Sequence, residues 1–298
     1  MVESLLRQTP LKTPRERKFE SKQRVKGTVG PVTGYMKRRR YLRTSEIAKA
    51  AQVHPNTVRL YEELGFLPPV ERDPFNGYRR FTRVHLNQML LARKAIRFNI
   101  LGGSVRLTAY DIIAQGAVGD LGGALELAYR LLSLVRAEQA QADAAANYLE
   151  RWMAGVLPDS PGQPLRIGEV AKLLDVTIDQ LRNWERNRLL EVPRDPSNGY
   201  RQYGPNEIGR LRVIRILIRS RYSMMSILRV LSKLDAGETV EPRAALDTPE
   251  PGEDIFSVTD HWLSTLAQAE ADARELVSLI ERNITEQDSG EQDFLEND

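Results

Sequence analysis

The sequence predicts a mainly α-helical chain built from two copies of one module, each copy followed by a long helix. Three observations carry this expectation. First, Leu42–Glu62 (LRTSEIAKAAQVHPNTVRLYE) aligns with Leu165–Glu185 (LRIGEVAKLLDVTIDQLRNWE), and RDPFNGYRRF from Arg72 to Phe81 aligns with RDPSNGYRQY from Arg194 to Tyr203. About half of the positions in these two stretches are identical, the mark of a tandem duplication. Second, apolar residues recur at helical spacing within both copies. Third, the segments running from Leu125 to Met153 and from Trp262 to Ile280 carry apolar or small residues at heptad spacing.

Composition narrows the functional classes. The 298 residues suit two domains rather than one small module. With no cysteine, disulfides, thiolate zinc sites, iron–sulfur ligation and cysteine nucleophiles are excluded. Three dispersed histidines, His54, His85 and His261, offer little to a metal centre. No apolar run approaches a membrane span and no signal-peptide core opens the chain, so the expected setting is the cytoplasm, at the nucleoid. The net charge of +3 conceals an asymmetry: residues 1–40 carry about +9, residues 41–234 about +9 and residues 235–298 about −15. A basic body with an acidic end points to a polyanionic partner for the body.

The elements follow in order. Residues 1–40 read as a basic, disordered arm whose Lys37-Arg38-Arg39-Arg40 cluster suits DNA, with Met36 as an alternative start. Residues 41–122 form the first domain. Ser45 precedes a helix with Ile47, Ala48, Ala51 and Val53 on one face, and Gly168 to Leu174 repeats it. A second helix runs from Pro55 to Leu64, matched from Ile178 to Arg188, with Pro55 in a tolerated first-turn position. Two helices joined by a few residues are a helix-turn-helix signal. Asn76-Gly77 and Asn198-Gly199, flanked by arginine and aromatic residues, predict hairpins with type I′ turns. Helix-turn-helix followed by a basic hairpin describes a winged helix-turn-helix domain.

Past each hairpin a helix carries arginines: Arg93 and Arg97 in the first copy, Arg210, Arg212, Arg215 and Arg219 in the second. They suit phosphate contact or a plain solvated face equally well. A long helix is expected over 123–155 and a linker over 156–164. The second domain covers 165–236, and an acidic loop 237–254. A long C-terminal helix covers 255–287, and an acidic, disordered tail 288–298.

Both copies resemble the DNA-binding domain of the MerR family of transcription regulators. That family's recognition helix reads roughly TIRYYE-x-x-GLL and its wing R-x-x-x-NGYR-x-Y. The first copy supplies Thr57-Val58-Arg59-Leu60-Tyr61-Glu62 with Gly65-Phe66-Leu67, then Arg72 and Asn76-Gly77-Tyr78-Arg79-Arg80-Phe81. The second supplies Gln180-Leu181-Arg182-Asn183-Trp184-Glu185 with Leu189-Leu190, then Arg194 and Asn198-Gly199-Tyr200-Arg201-Gln202-Tyr203. The resemblance covers about half of the chain.

A recognition helix in the major groove turns its N-terminal and outward residues to base edges. Here these are Asn56, Thr57, Arg59 and Tyr61, and Asp179, Gln180, Arg182, Asn183 and Trp184. Tyr78, Arg79 and Arg80, with Tyr200 and Arg201, suit phosphate and minor-groove contact. Tyr61, Trp184, Phe81 and Tyr203 read equally as core aromatics, and Glu62 and Glu185 as internal partners of arginines. Asp179 stands where the first copy has Asn56, so the copies are expected to read different half-sites.

The resemblance implies double-stranded DNA and RNA polymerase as partners, and a promoter bent and untwisted on binding. Family subunits dimerise through an antiparallel pairing of the long helix, which the duplication includes. The long helices are therefore expected to pair either within one chain, as a monomeric pseudo-dimer, or between chains, as a homodimer. No phosphate loop, nucleophile elbow or metal-spaced cluster supports an enzyme, and neither a cofactor nor a metal is expected. Two other readings remain open: an architectural, excisionase-like DNA bender acting without polymerase, and a protein-docking module with one degenerate DNA-binding domain.

Overall fold

A computed structural model describes residues 41–156, 163–248 and 258–295. The expected basic arm, most of the linker, part of the acidic loop and the last three residues lie outside the described residues. The chain is mainly α-helical, with one two-stranded antiparallel sheet among the described residues. Its described residues divide into two compact units, one up to Leu90 with Ala117–Gly119, and the other Leu91–Gly116 with the described residues from Asp120 onward.

In the first unit, α1 (Thr44–Ala50) and α2 (Pro55–Glu63) form the helix-turn-helix. Glu46 caps α1 by accepting the Arg43 amide at 2.7 Å, and His54 Nδ1 accepts the Asn56 amide at the start of α2, where Pro55 has no amide to satisfy. Gln52 takes a left-handed conformation, φ 53°, in the turn between the helices. The wing pairs β1 (Glu71–Arg72) with β2 (Arg79–Arg80), Arg72 opposite Arg79. Beyond it Phe81 bridges back to Leu42, so the strand before α1 is tied to the end of the wing. Ile47, Val58, Phe81 and Met89 are fully buried and form the core. The chain passes to the second unit within α3 (Arg83–Ala95).

The turn differs from the type I′ expectation. Asn76 and Asn198 do not have positive φ; only Gly77 (69°) and Gly199 (73°) do. Each wing closes instead through a longer turn, in which the Gly77 amide reaches Asp73 O and the Asp73 amide reaches Tyr78 O, with Asp195, Gly199 and Tyr200 repeating the pattern. Asp73 Oδ1 also accepts the amides of Phe75 and Asn76. An aspartate that satisfies the backbone two and three residues on makes the four-residue turn favourable, so glycine is needed at one position rather than two.

The second unit opens with a 3₁₀ turn (Ile96–Leu101) and α4 (Gly103–Ala117), then the long α5 (Leu121–Met153), whose first turn Asp120 caps. The second copy follows as α6 (Ile167–Leu174) and α7 (Ile178–Arg186), then α8 (Pro205–Arg219) and α9 (Met224–Asp235). Thr177 and Gln180 cap α7 reciprocally. The second wing holds a single bridge, Arg194 to Arg201, and Leu165 bridges to Tyr203 as Leu42 does to Phe81. Tyr222 and Ser220 donate to the α5 carbonyls of Ala142 and Gln141, fastening this copy to the long helix. Burial raises the Tyr222 hydroxyl well above its ordinary pKa.

The C-terminal helix α11 (Trp262–Leu295) lies antiparallel along α5. Tyr129 bonds Glu281, and seven residues further along α5 Arg136 meets Glu270, eleven residues earlier in α11. Between them the stripes close on each other: Ala128, Leu131, Val135, Ala142 and Leu149 from α5, Trp262, Leu266, Ala273, Leu276 and Ile280 from α11, all buried. Alanines in the stripe let the backbones approach closely. The helix continues to Leu295, past residue 287 where the sequence places its end; glutamate and glutamine there favour helix despite Gly290.

The segment expected as an acidic loop contains α10 (Pro242–Asp247). Arg243 accounts for it, reaching Asp143, Asn147 and Glu150 on one face of α5 at 2.6, 2.7 and 3.0 Å. Leu246 is buried, and Arg229 donates to Ala245 O. One long side chain and one leucine override a proline-rich, acidic composition.

Candidate nucleic-acid interface

Each recognition helix is fixed by its buried face. On α2, Val58 and Tyr61 point into the core; on α7, Leu181 and Trp184 do. At 3.6 residues per turn the opposite face of α2 is then Asn56, Arg59, Leu60 and Glu63, and that of α7 Asp179, Arg182, Asn183 and Arg186. Asn56, Arg59, Gln180 and Arg182 are exposed as expected, while Thr57 and Asn183 are half-buried. Tyr61 and Trp184 are corrections: they retain 9% and 4% of their surface and lie three residues from Val58 and Leu181, on the core side. Tyr61 packs edge-to-face on Phe66, 5.4 Å between ring centres, and both rings are buried. Phe81 and Tyr203 are likewise core residues.

The wings present Tyr78 and Tyr200 outward, 74% and 62% exposed. Their arginines are less free than the sequence suggests. Arg79 Nε donates to Glu62 Oε2 at 2.5 Å and Arg201 Nε to Glu185 Oε2 at 2.7 Å, latching each wing to the end of its own recognition helix. Arg80 bonds Asp73 and stacks over Tyr41, and Arg166 stacks over Tyr200. Arg80 holds the Asp73 carboxyl below its ordinary range, and Glu185 raises Arg201. The glutamates thus act as internal partners, and the arginines position the wing while their charge is compensated.

Four of the helical arginines beyond the wings are also engaged. Arg97 meets Asp272, Arg210 meets Asp235, and Arg215 and Arg219 share Asp175, a left-handed residue at the end of α6. An open groove of about 600 Å³ runs between recognition helix and wing in the second copy, lined by Asp179, Arg182, Glu185, Arg186 and Arg201.

Two outward residues escape the sequence reading as contacts. Leu60 is 46% exposed on the outer face of α2, and Phe75 is 95% exposed at the first wing's tip. The helical period places Leu60 beside Asn56 and could have found it. Phe75 carries no sequence signal, because the second copy has Ser197 in its place and the repeat does not mark it. Among the described residues no group of His, Asp or Glu is placed to hold a metal, and no helix is long and apolar enough to cross a membrane.

Comparisons with known proteins agree with this geometry. Residues 43–81 match the model of the MerR family regulatory proteins, and residues 165–234 that of the MerR HTH family regulatory proteins. The chain is 36% identical over 67 residues to the HTH-type transcriptional regulator ZntR of Escherichia coli strain K12, covering 22% of this chain and 48% of that protein. It is 40% identical over 58 residues to the HTH-type transcriptional regulator CueR of Salmonella typhi, covering 19% and 41%. Over 82 residues it is 32% identical to the mercuric resistance operon regulatory protein of Serratia marcescens, covering 28% and 56%. The chain thus spans about half the length of the curated relatives it matches. No solved structure matches it.

Proposed function

Starting from a chain that carries two MerR-family domains, we propose that it is a sequence-specific regulator of transcription whose two DNA-reading halves sit on one polypeptide. Each recognition helix enters a major groove with Asn56, Thr57 and Arg59, or Gln180, Arg182 and Asn183, facing base edges. Tyr78 and Tyr200 lie with their wings along the sugar–phosphate backbone. The duplex is deformed as both halves engage, and RNA polymerase reads the deformed promoter; contacts from both halves offset the bending cost of a few kcal/mol. The two halves form a pseudo-dimer. The observation that carries this is the α5–α11 pairing: each stripe needs a partner helix, and each is covered by the other helix of the same chain.

The test combines selection of duplexes from a random DNA pool with light scattering on the purified protein. One bipartite, asymmetric motif bound by a monomer is the expected outcome. Salt-sensitive retention with no motif would overturn sequence-specific regulation in favour of an architectural role, and a stable dimer at micromolar concentration would overturn the pseudo-dimer.

A further inference from the structure

At one aligned position the outward faces of the two recognition helices exchange an apolar residue for an amide. In α2 this is Leu60; in α7 it is Asn183. On an ideal helix Leu60 lies about 40° around the axis from Asn56 and about 160° from the buried Val58, so it points where the base-reading residues point. Its exposed side chain stands beside a polar pair that occupies itself, because Arg59 Nη1 donates to Asn56 Oδ1 at 3.3 Å. Asn183 is constrained differently. Asn187 Nδ2 donates to both its backbone oxygen (2.8 Å) and its Oδ1 (3.1 Å), so its carbonyl is partly engaged while both amide hydrogens can be offered to a groove.

The major groove offers matching chemistry to each. An apolar side chain has one apolar partner there, the C5-methyl of thymine, whereas an amide donor seeks a carbonyl oxygen or purine N7. We propose that Leu60 is a specificity-determining residue that reads a thymine methyl in the first half-site, and that Asn183 reads an acceptor at the equivalent position of the second. This rests on the DNA-binding reading above and adds to it that the bound site has a direction.

The experiment uses the full chain and a selected duplex in which each thymine is replaced in turn by deoxyuridine, with affinity read by fluorescence anisotropy at fixed salt. Removing one methyl should weaken binding about fourfold, the transfer value of a single such group, at one position in one half-site. Leu60→Ala should bind more weakly and ignore that replacement, and Asn183→Leu should acquire methyl sensitivity in the other half-site. Because Leu60 is exposed, unchanged thermal unfolding of Leu60→Ala verifies that the variant is folded. Specific binding indifferent to every replacement, or discrimination that survives Leu60→Ala, overturns the inference and leaves DNA binding intact. Failure to prefer any duplex overturns the DNA-binding reading, and the inference with it.

Discussion

Leu276→Ala probes the pairing of α5 with α11. Leu276 is fully buried, and the register set by Tyr129–Glu281 and Arg136–Glu270 places it opposite the turn from Leu131 to Val135. Truncating a buried leucine costs about 2–5 kcal/mol, more where the site cannot collapse. The facing Leu131 and Val135 are themselves fully buried and have little room to move into the void, so about 3–5 kcal/mol is expected. For a domain of this size, about 2–4 °C of Tm per kcal/mol gives a fall of roughly 6–20 °C in the unit containing the seam. The assay is thermal unfolding followed by helical circular dichroism over a hundredfold range of protein concentration. If the seam lay between chains, that dilution would cost about 2.7 kcal/mol and lower Tm by about 5–10 °C in the unsubstituted protein. A seam within one chain predicts no dependence on concentration. A concentration-dependent Tm, or a loss under 2 °C for Leu276→Ala, would refute the reasoning.

Other consequences are as open to measurement. Asp179→Asn should tighten DNA binding severalfold and steepen its salt dependence, because it removes an acid from the start of α7 and frees Arg182 from its contact at 3.3 Å; titration at several salt concentrations reads both. Arg79→Ala combined with Arg201→Ala should change the salt slope by less than two units, since Glu62 and Glu185 already compensate these charges, while weakening binding to all duplexes. Arg136 is the main cause that holds the Glu270 carboxyl below its ordinary range. A depressed carboxyl stabilises the fold above its unfolded pKa and loses that contribution as pH falls through the folded value. Stability of the seam should therefore decline on acidification through and below the carboxylate range, and Glu270→Gln should flatten that decline in urea titrations across pH. Phe75→Ser, which copies the second wing, should leave unfolding within about 0.5 kcal/mol of the unsubstituted protein, because Phe75 touches almost nothing.

The duplication, both helix-turn-helix pairs, the two hairpins and the two long stripes were legible because each rests on local spacing. The helical period placed Arg59 and Arg182 outward, and Glu62 and Glu185 were readable as partners of arginines. The same period places Tyr61 and Trp184 with Val58 and Leu181, on the buried side. The turn type was misread because Asn-Gly specifies a hairpin, while the aspartate three residues before the asparagine decides its length. The local marks of α10 are slight, Glu241 capping the amides of Arg243 and Ala244 with Pro242 in the first turn; the contacts that hold it run from Arg243 to residues about a hundred positions earlier. The engagement of Arg210, Arg215 and Arg219 by Asp235 and Asp175 is likewise a tertiary fact, which sequence spacing does not contain.

The pairing of α5 with α11 inside one chain also bears on how such a protein changes over generations. In a symmetric dimer every substitution is made twice, once in each reading head, so a change that suits one half-site is imposed on the other. With both heads encoded in tandem, each mutates alone. Glu63 against Arg186, Arg80 against Gln202 and Phe75 against Ser197 are differences that a symmetric dimer has no means of holding. On the function proposed above, a duplicated chain is released from palindromes, and its target can drift one half at a time while the other half keeps it anchored.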